Sequence, residues 1–134
     1  MAEAIVNTQL SENWQAFSAG TKPAGYIHPI AIEVLSEIGI HHQGTSKHAD
    51  DFRHINFDVV ITVCDSAAEE CPVWLGKGSR IHKSFRDPAS AIGTDEEIMQ
   101  VFRDVRDNIA EIIPKVLHKW EQEYKLQNSY NGDV

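Results

Sequence analysis

Two short stretches carry residues whose types and spacing could do chemistry. In VCDSAAEECP, Cys64 and Cys71 stand with six residues between them. That interval is too wide for a C-x-x-C redox pair, and no further cysteine or suitably spaced histidine completes the four ligands of a tetrahedral zinc site. If the intervening residues are helical, the two thiols share a face but lie about 10 Å apart along the axis, beyond disulfide reach. Bonding them therefore requires the segment to unwind. Two readings stay open on spacing alone: packed thiols, with Cys64 closing a strand, or a redox pair. In SFRDPAS, Asp87 precedes Pro88. An Asp-Pro step is a turn signal, because the carboxylate caps its own backbone and proline fixes the turn. The same carboxyl at the end of a sheet could act as a general acid toward a leaving oxygen. The chain also has seven histidines. His41 and His42 are adjacent and point apart, while His28, His48, His54, His82 and His118 lack ligand spacing, so surface or capping roles are expected and no metal or cofactor.

These residues need elements to position them. Trp14 to Ala19 reads as a short strand closed by Gly20 and the turn-rich GTKPAG. In HPIAIEVLSEIGI, Pro29 marks a helix start, Ala31, Val34, Leu35 and Ile38 fall on one face, and Gly39 ends it. FDVVITVC is the strongest strand, a β-branched run from Val59 to Val63 of the kind buried on both faces of a parallel sheet. It is expected to be the central strand, with Cys64 at its carboxyl end. A weaker strand is predicted around Arg80 to Phe85. A long helix follows, opened by a capping box at Thr94 and Glu97, with Ile98, Phe102, Val105, Ile109, Ile112 and Val116 as its apolar face. Pro114 is expected to kink or end it. The alternation of strand and helix predicts an α/β fold, an open parallel sheet with helices on both faces, whose ligands bind beyond the carboxyl ends of the strands.

Composition narrows the partners. A chain of 134 residues with 42% hydrophobic content supports one core, so residues 1–126 are read as a single domain and 127–134 as a frayed tail. A net charge of −8 without a basic cluster argues against nucleic acid and anionic membrane. No apolar run approaches the roughly 18 residues of a membrane span, and the first residues do not read as a signal peptide. A cytoplasmic location is expected.

Taken together, FSAGTKPAGYIHPIAIEVLSEIGI, GTSKH, FDVVITVCDSAAEECPVWLG, IHKSFRDPAS and FRDVRDNI resemble the low-molecular-weight protein tyrosine phosphatase family, and within it the thioredoxin-coupled arsenate reductase branch. The resemblance runs from Met1 to about Ile113. It implies that Cys64 and Cys71 are the pair of resolving cysteines and that Asp87, in its D-P-A context, is the acidic residue. The phosphatase branch usually follows that residue with Pro and two tyrosines, whereas Pro88, Ala89 and Ser90 follow it here. The implied mechanism begins with a nucleophilic cysteine in a C-x5-R loop, where backbone amides and an arginine hold arsenate and depress the thiol pKa. Cys64 then attacks the nucleophile's sulfur as arsenite leaves, Cys71 attacks Cys64, and a thioredoxin-like reductant reduces the resulting disulfide.

One part of that machinery is not in the 134 residues. Six residues after Cys64 stands Glu70 and six after Cys71 stands Lys77, so neither cysteine opens a C-x5-R loop. The opening MAEA resembles the part of the family's first helix that follows the loop, so the first strand and its loop are expected to be missing from this chain. Alone, it is expected to be inactive. In the family's sheet that strand lies between the two expected to be first and second here, so its loss predicts neighbours about 10 Å apart and exposed strand edges, a route to self-association. The alternatives are a non-catalytic paralogue that binds a partner and a low-molecular-weight phosphotyrosine phosphatase.

Overall fold

A computed structural model describes residues 1–19, 27–42, 48–52, 54–63 and 78–132. Its elements are α1 (Ala2–Gln9), α2 (Pro29–Glu37), β1 (Val59–Thr62), β2 (Ser79–His82) and α3 (Asp95–Gly132), with 3-10 turns at Ala49–Phe52 and Pro88–Ser90. The two strands pair in parallel, Val59 opposite Ser79 and Thr62 opposite His82. Both α1 and α2 pack on α3. The main core joins Ile5 and Val6 of α1, Leu35 and Ile40 at the end of α2, Phe85 after β2, and Val105, Ile109, Ile113 and Leu117 of α3. A second cluster sets Ala31 and Val34 against Phe102.

Helix α2 starts and stops where the sequence says. The ring Nδ1 of His28 accepts the Ile30 N–H at 3.2 Å, which satisfies one of the free donors of the first turn. At the other end Gly39 adopts φ +80. Its N–H bonds the Ser36 carbonyl at 3.0 Å and that of Ile40 bonds the Leu35 carbonyl at 3.0 Å, the paired bonds of a Schellman stop. A clasp fixes this helix to α3. Arg103 grips Glu37 through Nε and Nη2, and Arg106 Nη1 donates both to Glu37 at 2.8 Å and to the Val34 carbonyl at 2.9 Å. Hydrogen bonding from Arg103 holds the Glu37 carboxyl below the usual carboxylate range against the opposing push of desolvation, with the Arg103 charge and Arg106 adding to the fall.

Several expectations are corrected. Trp14 to Ala19 has no regular secondary structure and is not a strand. The side-chain amide of Asn7 takes both backbone groups of Ala16, donating to its carbonyl at 3.0 Å and accepting from its N–H at 2.7 Å, which does locally what a neighbouring strand would do. The run Val59–Thr62 is half-buried at every position rather than enclosed on both faces, because β2 is its one strand neighbour among the described residues. The second strand is shorter than predicted, although strand-like bonds continue past it from Lys83 N–H to the Thr62 carbonyl and from Phe85 N–H to that of Val63. At the start of α3 Thr94 caps as expected: Glu97 N–H bonds Thr94 Oγ1 at 3.1 Å, and the Thr94 hydroxyl donates to Glu97 Oε1 at 3.0 Å. Its buried stripe then runs by fours through Ile109, Ile113 and Leu117, leaving Ile112 and Val116 half-buried. Pro114 does not end this helix, which stays unbroken. Proline removes one backbone bond there, while the buried side chains of Ile113 and Leu117 on either side keep the helix on its core. Beyond Gln127, where fraying is expected, the helix continues to Gly132. No described helix is long and apolar enough to cross a membrane.

Candidate functional site

The carboxyl ends of β1 and β2 form the rim at which a parallel sheet presents its chemistry. Gly78 sets the start of β2. At φ +124 a Cβ there would stand 2.6 Å from the Phe57 carbonyl oxygen, so glycine alone lets the two chains approach that closely. At the far ends of the strands, Thr62 Oγ1 and His82 Nδ1 meet at 2.7 Å, a cross-strand pair on one face of the sheet. After β2 the buried ring of Phe85 anchors the chain in the main core, while the Phe85 N–H bonds the Val63 carbonyl at 3.2 Å. Two residues later comes Asp87.

Asp87 is exposed and caps the following 3-10 turn. Its Oδ1 accepts the Ala89 N–H at 3.0 Å, and the Ser90 hydroxyl donates to its backbone carbonyl at 2.8 Å. The turn reading of D-P-A therefore holds, and it does not compete with an acid role. One carboxylate oxygen is engaged by the turn, while the other has no protein partner among the described residues. A carboxyl held by one oxygen and exposed could exchange a proton with an oxygen bound beside it.

The chain passes out of the described residues at this same rim. Cys64 and Cys71 both lie outside them, as does the whole segment 64–77. Of the three site residues read from the sequence, the described structure therefore accounts for Asp87. Two of the histidines cap helical starts as expected: His28 at α2, and His48, whose Nδ1 accepts the Asp50 N–H at 3.0 Å. The Thr62–His82 contact is a rim feature that sequence reasoning missed. It depends on the pairing register of two strands far apart in the chain. The one available signal was His82 inside the strand predicted around Arg80 to Phe85, shortly before Asp87.

Comparison with known proteins gives this geometry a setting. Residues 1–126 match the family described as low molecular weight phosphotyrosine protein phosphatase. An arsenate reductase of Shouchella clausii is 40% identical over 119 residues, covering 86% of this chain and 83% of that protein. One from Halalkalibacterium halodurans is 40% identical over 114 residues, covering 84% and 81%. One from Bacillus subtilis is 38% identical over 110 residues, covering 81% and 78%. Among solved structures, an arsenate reductase in the reduced state superposes with a TM-score of 0.68 at 25% identity, over 88% of this chain and 86% of that one. Another, in the phosphate binding state, gives 0.66 at 26% identity over the same shares. On the match across residues 1–126 and the shared fold, the chain belongs to the low molecular weight phosphotyrosine protein phosphatase family.

Proposed function

We propose that this chain serves the reduction of arsenate to arsenite by a thiol–disulfide cascade, with Cys64 and Cys71 as the resolving pair and Asp87 as the general acid. The relatives at 38–40% identity are arsenate reductases, which supports the substrate. The observation that carries the acid role is the free oxygen of Asp87 at the carboxyl ends of β1 and β2.

In this reading a nucleophilic thiolate displaces a hydroxyl group of arsenate, and Asp87 supplies the one proton with which it leaves as water. Cys64 thiolate attacks the nucleophile's sulfur. A sulfur–sulfur bond forms, the sulfur–arsenic bond breaks with its electron pair left on arsenic, and arsenite departs. Cys71 thiolate then attacks Cys64 and frees the nucleophile, leaving a Cys64–Cys71 disulfide. An external dithiol of the thioredoxin type returns the pair to thiols and is itself oxidised.

Neither cysteine in the 134 residues is followed six positions on by arginine. In this reading the attacking thiol and the anion cradle are not assigned to any of these 134 residues, which by themselves are expected to turn over neither arsenate nor p-nitrophenyl phosphate. That same feature favours the second reading, a non-catalytic member of the family that binds a partner. The experiment joins the chain to the strand and C-x5-R loop of a relative and follows arsenate-dependent oxidation of a thioredoxin. Activity is expected in the joined protein. Replacing Cys71 by Ser is expected to stop cycling after one turnover, with a disulfide between the attacking cysteine and Cys64. Normal cycling of Cys71→Ser would remove the shuttle assignment, and a joined, folded but inert protein would favour the binding module.

A further inference from the structure

The opposite end of the sheet holds a cavity of about 600 Å³. Its walls come from Phe57, Asp58 and Ser79 where the strands begin and from Trp120, Glu123 and Tyr124 on α3. We propose that this cavity binds a small organic cation, an ammonium carried on a compact apolar body. Its volume suits a small-molecule ligand.

The aromatic wall is built rather than incidental. Trp120 and Tyr124 stack with ring centroids 5.0 Å apart and planes 14° from parallel, and Trp14 meets Trp120 edge-on at 5.5 Å. The Trp14 indole N–H is in turn held by the Glu121 carboxylate. Two side chains of the cavity wall carry negative charge, Asp58 and Glu123, and neither has an ion-pair partner among the described residues. Among the described residues no lysine, arginine or histidine lines the space. An anion entering it meets two carboxylates and is repelled. A neutral apolar molecule gains only the rings, whereas an organic cation gains the carboxylates together with the half-exposed ring of Tyr124 at the outside of the stack. Ile81 carries the wall along β2, while β1 and its flanking residues put roughly 15 Å between the end of the sheet where Asp58 stands and the end that leads to Asp87. The cavity's charge preference is also the reverse of what an oxyanion site needs.

The test titrates the 134-residue chain with benzyltrimethylammonium chloride and follows backbone and indole N–H signals by NMR, with benzyl alcohol and benzenesulfonate as neutral and anionic counterparts. Saturable shifts are expected at Gly78, Ser79, Glu123 and the Trp120 indole. The cation should bind at least about five-fold more tightly than benzyl alcohol, and less tightly as salt is added. The double variant Asp58→Asn, Glu123→Gln changes two exposed side chains and should reduce that preference to about two-fold or less. Tyr124→Phe should retain binding and Tyr124→Leu weaken it. The proposal is overturned if the alcohol or the sulfonate binds as tightly, if the shifts map elsewhere, if the preference survives loss of both carboxylates, or if no saturation occurs.

Discussion

The helical side of the molecule and its sheet are held in very different ways. On the helical side, α1, α2 and α3 together bury Ile5, Val34, Leu35, Phe102 and Ile113 almost completely, and the Glu37 clasp adds ionic bonds across α2 and α3. In the sheet, no residue of β1 or β2 is fully buried. The region that carries Asp87 is tied to the core by Phe85 and by contact of its 3-10 turn with α3, with Ile61 packing at the edge of the same cluster. Regions with few buried apolar contacts open more easily than the core, and sites that must rearrange during chemistry draw on that low-stability end.

The most severe way to test this contrast is to remove the anchor. Phe85→Ala is expected to lower stability by about 3 kcal/mol in denaturant unfolding. Hydrogen exchange should speed first at the Lys83 and Phe85 amides, with those of α3 between Val105 and Ile113 least affected. Equal acceleration throughout would mean that sheet and helices open as one unit.

On the helical side, Arg106→Met keeps much of the side chain's volume but loses its bonds to Val34 and Glu37. A loss of about 2 kcal/mol is expected, with the β1–β2 amides unchanged relative to global unfolding. Glu37 itself adds a pH signature. Its carboxyl pKa is lowered in the folded state, so its contribution is complete above the ordinary carboxylate range and is lost as pH falls through the folded pKa. Acid titration of the wild type and of Glu37→Gln should therefore diverge near neutral pH and converge in acid. Parallel curves would remove the clasp from the comparison. The smallest effect belongs to the cap of α3: Thr94→Ala should reduce stability by about 1 kcal/mol, read as a shift in the unfolding midpoint at constant slope.

What the sequence made legible follows the range of the interactions involved. Local signals were read well. The Pro29 start and Gly39 stop of α2 depend on bonds within a few residues, as does the Thr94–Glu97 cap. The family resemblance, being a matter of many residues in order, was legible too. Features made between distant segments were not. Arg106 reaches Glu37 across 69 positions and His82 meets Thr62 across 20, and neither contact follows from the type of either residue. Trp14 to Ala19 has the composition of a strand, but strand identity requires a neighbour, and Asn7 occupies the backbone groups of Ala16 instead. The apolar stripe of α3 was read one residue early at Ile112 and Val116. Steps of three and of four both keep a side chain near the same face, and only the packed partners decide between them. At Asp87 the turn was legible, because an Asp-Pro step caps its own backbone within three residues.

The amide of Asn7 has a bearing on solubility. An extended segment with open backbone groups is a template on which another chain can lay a strand, and natural proteins blunt such templates with charge, proline or a covering element. Here one side chain imitates a single residue of partner strand and withdraws the Ala16 N–H and carbonyl from recruitment. Its effect is on what the protein avoids: Asn7→Ala would reopen a docking position in Trp14 to Ala19, and its clearest consequence would be faster concentration-dependent aggregation rather than a lower melting temperature.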